Sequence, residues 1–414
     1  MSEPFFCHTF SNGLVLVAEP MGWLESAAFT LLVPVGSAHD PADRCGLTSL
    51  LCEMAMRGAG SRDSRQLIEE LDNLGVERSE LVSDAHTQFS GATLADNLLR
   101  ALAIFADVVR WPHLPEDQLE AGRQVLLQEL RAIEDEPAEK LMIELKRRHY
   151  PEPWGRPPQG DARALEAISL PDLRGHFERY YRPNGAILAV AGKFDWLRLR
   201  DAVGELFGDW RPIPSAAPGS GSSRPGHTHL CYDSNQTQIG IAYPSVPYRH
   251  PDYFQAWGAV GVLSGGMSAR LFTEVRERRG LCYAVFATYH TLLDRGGVFC
   301  YAGTTADRAQ ETLEVTLAEL QRLARGVEAE ELDRLKARIR SALVMQQESS
   351  VARSGSIARD WYHLGRVRTI EEIESIVAGL SCQGINAYLA DHPPRDFTIV
   401  TLGPQPLEVP GGVP

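Results

Sequence analysis

A chain of 414 residues, with 44% hydrophobic and 23% charged residues, is too long for one ordinary core and has the composition of a globular protein with two or more domains. Its formal net charge of -13 repels phosphate backbones and argues against a nucleic-acid partner. No apolar run reaches the roughly 18 residues that a membrane span needs, so no membrane partner is expected.

In chain order, the residues from Met1 to Phe10 lack a basic stretch leading into an apolar run, so no secretory signal is expected. Strands are predicted at 14–18 and 28–35, then an apolar helix at 46–56. A helix at 64–74 has Ser64 as its N-cap and Gly75 as its stop. Another, at 115–133, places Pro115 at the first helical position and Leu119, Val125, Leu126 and Leu130 on an apolar stripe. A strand is predicted at 187–191. Residues 212–226, PIPSAAPGSGSSRPG, cannot bury a core and read as a linker. Beyond it come a strand at 239–243 and helices at 254–263, 309–324 and 328–347. The seven cysteines, Cys7, Cys45, Cys52, Cys231, Cys282, Cys300 and Cys382, are odd in number and include no CxxC pair, which fits reduced thiols in a cytoplasmic setting.

The halves on either side of the linker look alike. A strand leads to His39-Asp40-Pro41 and an apolar helix in the first half; a strand leads to His250-Pro251-Asp252 and an apolar helix in the second. His39 and His250 are 211 residues apart, as are Pro183 and Pro394, which open two matching strand segments ending at Gly192 and Gly403. An internal duplication is expected, with domains at 1–211 and 227–414 joined by 212–226, each an independent folding unit. Strands and helices do not alternate strictly, so the fold class is α+β: two homologous α/β-sandwich halves, each an antiparallel sheet with helices packed on it.

The helix at 46–56 and the two residues after it read Gly-Leu-Thr-Ser-Leu-Leu-Cys-Glu-Met-Ala-Met-Arg-Gly. This frame resembles the active-site helix of the insulinase/pitrilysin zinc peptidases, whose motif there is H-x-x-E-H. Asn12-Gly13-Leu14, the loop Trp154-Gly155-Arg156-Pro157-Pro158-Gln159-Gly160, and Tyr180-Tyr181-Arg182-Pro183-Asn184 resemble further family segments in the family's order. In family members the two histidines ligate zinc and the glutamate activates water. The resemblance puts Ser49 and Glu53 at the histidine positions and Cys52 at the glutamate. Glu129 falls at a third ligand position, and Gly122 stands where another carboxylate is common. No metal is therefore expected in this chain, and without the frame Cys52, Glu53 and Glu129 read as packing or surface residues.

The second half contains Gly265-Gly266-Met267-Ser268-Ala269-Arg270-Leu271-Phe272, followed by Arg276 and, seven residues on, Tyr283. The resemblance implies that Arg276 anchors a substrate backbone and that Tyr283 donates to the oxyanion of the attacked carbonyl. Gly265 and Gly266 would be a substrate loop, or an ordinary turn. Family members built from two subunits pair a zinc-bearing chain with one that has lost the motif but keeps the Arg/Tyr pair. The expectation is a catalytically silent subunit that forms half of a clamshell and works on peptides with a homologous zinc-bearing partner as a heterodimer. A structural scaffold or a peptide-binding protein of the same fold is the alternative.

Overall fold

The computed structural model describes residues 5–214, 218–219, 221, 223 and 226–410. Of the expected linker, residues 215–217, 220, 222, 224 and 225 therefore lie outside the described residues.

Strands β1 (Phe6–Thr9), β2 (Val15–Pro20), β3 (Ser26–Val33), β4 (Gly58–Ala59), β5 (Arg62–Asp63), β6 (Glu77–Val82), β7 (Thr87–Leu94) and β8 (Ile187–Gly192) precede the linker. Strands β9 (Gly226–Cys231), β10 (Gln236–Ser245), β11 (Cys282–Thr291), β12 (Gly296–Thr305) and β13 (Thr398–Gly403) follow it. Helices before the linker are α1 (Leu47–Ala55), α2 (Ser64–Asn73), α3 (Leu98–Arg110), α4 (Leu119–Glu134), α5 (Pro137–His149), α6 (Ala162–Ala167), α7 (Leu170–Tyr180) and α8 (Trp196–Phe207). After it come α9 (Tyr253–Ser264), α10 (Ala309–Leu323), α11 (Ala329–Gln346), α12 (Ser350–Leu364), α13 (Ile370–Gly379) and α14 (Cys382–Asp391).

The first large sheet has the order β1-β2-β8-β3-β7-β6, and the second has β9-β13-β10-β12-β11. Strand for strand, β2-β8-β3-β7-β6 corresponds to β9-β13-β10-β12-β11. The pairing directions also agree: β2 with β8 and β9 with β13 are the parallel pairs, and the other neighbours are antiparallel. β8 begins at 187 and β13 at 398, the 211-residue offset read from the sequence. The α+β reading with duplicated halves is what the structure has, with one parallel pair in each otherwise antiparallel sheet.

The helices do not stay with their own half. One compact unit comprises Met1–Ala132, Glu152–Ser220 and Met345–Arg368; the other comprises Ile133–Pro151, Gly221–Val344 and Thr369–Pro414. Thus α12, from the second half of the chain, belongs with the first sheet. Its Ile357 and Ala358 bury against Val17, Leu32, Ile187 and Ala189. Ser354 Oγ lies 3.1 Å from Thr30 Oγ1, and Arg353 Nε donates to Glu19 Oε2 at 2.7 Å. Reciprocally, α5 from the first half belongs with the second sheet. Leu141 and Leu145 pack over Gly240 so closely that a Cβ there would stand 3.0 Å from Leu145 Cδ2. The units are therefore not the contiguous segments 1–211 and 227–414, and each sheet has helices on both faces.

Two helix starts also differ from the sequence reading. Asp63, not Ser64, caps α2: its carboxylate accepts from Gln66 N at 2.8 Å while the Gln66 side chain accepts from Asp63 N. Pro115 precedes a 3-10 turn, Glu116–Gln118, and α4 starts at Leu119.

In the first unit the N-terminus of α1 is held by a buried polar cluster. Asp40 accepts from Gly46 N and Thr48 N, each at 2.9 Å, and from Thr48 Oγ1 at 2.6 Å; His176 Nε2 lies 2.9 Å from the same hydroxyl. Burial pushes His39 down to about 4 and His86 and His176 down to about 3, and raises Asp40 to about 6. Each histidine stays neutral in the fold but charges once unfolded, so its contribution is intact above its unfolded value near 6.5 and is lost as pH falls towards 4. Asp40 has the opposite sign, since the folded form takes its proton first below about 6. Three protons against one leave a net proton uptake when this cluster unfolds, and His149, pushed down to about 4 by burial, adds to it with the same sign, so stability falls by on the order of 3 kcal/mol per pH unit as pH drops from 6 to 4. Urea midpoints measured across that range should show this slope, and His86→Phe, which keeps the edge-on contact with Tyr362, should reduce it by about one proton.

Candidate functional site

The four positions singled out in the zinc-motif frame come together in the first unit, around one cavity of about 580 Å³. Ser49, Cys52, Glu53 and Met56 recur at helical spacing on one face of α1, while Leu47, Leu50, Leu51 and Met54 point into the core. Leu126 and Glu129 come from α4, three residues apart. Arg78, Glu80, Leu81 and Val82 come from β6, the edge strand of the sheet, and Pro158 and Gln159 from the loop after α5.

Among the polar side chains here, Ser49, Glu53, Arg78 and Glu80 are engaged, whereas Glu129 is not. Ser49 Oγ donates to the Pro158 carbonyl at 2.6 Å. Cys52 is buried, and burial, with Glu80 and Glu53 nearby, drives its thiol far above the ordinary cysteine range. Glu53 accepts from Arg57, with Nη2 at 2.7 Å and Nε at 3.0 Å from the same carboxylate oxygen. Arg78 and Glu80 form a second pair at 2.8 Å. Glu129 has neither hydrogen bond nor ion pair among the described residues; partial burial, then the charge of Glu53, raises its carboxyl. At Gly122 a Cβ would lie 2.7 Å from Met54 Sδ, so any side chain there must displace that methionine. Among the described residues no three His, Cys, Asp or Glu side chains are placed to hold a metal ion.

The second unit holds the other candidates. Arg276 lies in a π-helical segment, Phe272–Glu277, with its guanidinium 4.9 Å from the Phe272 ring centre. Such segments are rare and often occur at functional sites. Neighbouring arginines are committed: Arg278 and Arg279 pair with Glu274 at 2.5 and 2.9 Å. Tyr283 is the second residue of β11, an edge strand, and 81% of its surface is exposed. Burial raises the Cys282 thiol while the Arg276 charge opposes the rise, which places Arg276 beside the start of that strand. Gly265 and Gly266 line a separate cavity of about 310 Å³ between α9 and α11. At Gly265 a Cβ would meet the Arg338 guanidinium at 2.7 Å.

Sequence reasoning gave no site role to Arg57, Arg78, Glu80 or, although its loop was noted, to Gln159. The first could have been found from its i,i+4 spacing to Glu53. The others enter the cavity only through the sheet edge and a loop, which no periodicity announces.

Among the described residues no helix is long and apolar enough to cross a membrane. A family model described as insulinase, peptidase family M16, matches residues 23–157, and one described as the peptidase M16 inactive domain matches 167–339. A Rickettsia felis protein named an uncharacterized zinc protease is 26% identical over 393 residues, covering 93% of this chain and 94% of the relative. A Mycobacterium tuberculosis protein of the same description is 29% identical over 410 residues, covering 96% and 92%. The crystal structure of a peptidase M16 inactive domain from Pseudomonas fluorescens superposes with a TM-score of 0.89 at 21% identity, covering 98% of this chain and 99% of that one. The chain belongs to the insulinase family of peptidases, family M16.

Proposed function

We propose that this chain is the catalytically silent subunit of a zinc peptidase and supplies Arg276 and Tyr283 to a homologous, zinc-bearing partner in a heterodimer. The observation that carries this is a contrast between two sites. The three motif positions on α1, Ser49, Cys52 and Glu53, are chemically spent, whereas Arg276 and Tyr283 are exposed.

Zinc is bound by thiolate, neutral imidazole or carboxylate. Ser49 offers a hydroxyl that is already donating, Cys52 a protonated and buried thiol, and Glu53 a carboxylate neutralised by Arg57. These residues do not fit zinc, and no step of peptide cleavage passes through them. In the partner's site the metal would supply the attacking water, and this chain's residues would do two things. Arg276 would hold a substrate carbonyl by charge-assisted hydrogen bonds. Tyr283 would donate a hydrogen bond from its hydroxyl to the oxyanion formed as water adds to the peptide carbonyl.

The test begins with the purified chain, which is expected to contain no stoichiometric zinc and to cleave no peptide. Elemental analysis giving close to one zinc per chain, lost in Glu129→Ala, would sink the proposal. Co-purification from the native cell should then recover a homologous chain that does contain zinc.

A further inference from the structure

We infer that Arg308 is a positioning residue for the Arg276/Tyr283 pair: its guanidinium pins the chain that joins the two and so sets where the Tyr283 hydroxyl lies. The role rests on the trans-acting reading of that pair and adds to it a residue that touches no substrate.

Both members of the pair stand where the chain carries one residue too many. Arg276 lies in the π-helical segment, where Arg278 N donates to Thr273 O at 2.9 Å, five residues back instead of four. On β11, Cys282 pairs with Thr304 and Ala284 with Gly303, so Tyr283 is the extra, unpaired residue of a β-bulge. A bulge re-aims a side chain but gives up ladder bonds, so its aim must be fixed from elsewhere.

The chain between the two reverses at Gly280, whose φ of +58° is left-handed and suits glycine. Gly280 N donates to Arg276 O at 3.0 Å and Leu281 N to Val275 O at 2.9 Å. The carbonyls of the same stretch are held from the other side. Arg308, in the turn between β12 and α10, donates from Nη2 to Arg279 O at 3.0 Å and from Nη1 to Gly280 O at 2.8 Å. Thr304 Oγ1 donates to the next carbonyl, Leu281 O, at 2.6 Å. A planar guanidinium that bonds two successive carbonyls fixes both peptide planes, which an ammonium cannot do. Glu311 lies 3.8 Å from the same guanidinium, too far for a hydrogen bond, so the carbonyls hold the fork in place.

Tyr283 follows two residues after the last of these carbonyls. Its ring is largely exposed and gains little support from packing, so the backbone sets its position. Arg276 depends less on the fork, because its guanidinium rests on the Phe272 ring.

Two measurements test this. In the isolated chain, Arg308→Met should speed hydrogen exchange of the Gly280 and Leu281 amides by about tenfold or more, the scale of one charge-assisted bond. In the reconstituted complex it should lower kcat by about tenfold and leave KM near wild type, because the oxyanion donor is displaced and the Arg276 anchor is not. Arg308→Lys, which keeps a charge and a donor for one carbonyl, should recover part of both effects. A merely structural role would cost the same in any background, whereas Arg308→Met should add little to Tyr283→Phe, since no hydroxyl is left to misplace. Unchanged exchange in Arg308→Met overturns the inference. So does a wild-type kcat in that variant, or a loss that adds in full to that of Tyr283→Phe. If Tyr283→Phe is itself without effect, the trans-acting reading has failed and the positioning role falls with it.

Discussion

In a reconstituted peptidase complex, Tyr283→Phe is expected to lower kcat by about a hundredfold with assembly unchanged. The substitution removes one hydroxyl and keeps the ring. Because Tyr283 is 81% exposed and its hydroxyl has no partner among the described residues, no internal bond is lost with it. What is lost is a donor that matters only while a carbonyl carries negative charge, so the effect falls on kcat rather than on binding. Arg276→Ala should behave differently. Its guanidinium rests on the Phe272 ring and is free to hold a ground-state carbonyl, so KM should rise as well as kcat fall. Steady-state kinetics on the two variants separate the roles. If both match wild type in a complex that cleaves peptide, the trans-acting role is wrong.

The largest effect on stability is expected at Arg353→Met. The side chains of Arg353 and Glu19 are 2% and 13% exposed, and their 2.7 Å contact joins α12 to β2. Removing the cation leaves Glu19 stripped of this partner in the interior, a loss of about 3–5 kcal/mol. For a unit of this size that is a drop in Tm of about 10 °C. Replacing both residues, Arg353→Met with Glu19→Leu, should recover most of it, because an apolar pair carries no desolvation cost. Calorimetry of the single and double variants decides this. A single variant within about 1 kcal/mol of wild type would show the pair to be far better hydrated than its burial indicates.

Much of the fold was legible because it is written in local patterns. The duplicated strands follow from apolar runs that repeat at one offset, and α1 from its periodicity and frame. The face of α1 that lines the cavity could be assembled from Ser49, Cys52 and Glu53 for the same reason. What was not legible depends on distance along the chain. An amphipathic stripe says that α12 will bury one side, not that it will cover a sheet whose strands lie more than 150 residues earlier. The Arg353–Glu19 pair spans 334 residues and leaves no local trace. Nor could the sequence tell that Gly122 makes room for Met54, since a glycine inside a helix reads only as a weak former. Cys52 is a case between these. Its position in the frame was plain, but only its burial shows that the thiol stays protonated.

The exchange of α5 and α12 sets a timetable for synthesis. The strands of the first sheet are complete once β8 has been made, at residue 192, yet the helix that covers one of its faces ends at residue 364. At the roughly 5–20 residues per second of a ribosome, that face of Val17, Leu32, Ile187 and Ala189 waits on the order of 10–30 seconds for its cover. The nascent chain must therefore keep an apolar sheet surface from pairing wrongly while the second half is still being built. Truncated products that stop before residue 350 should be held by chaperones or degraded, even though they contain every strand of the first sheet.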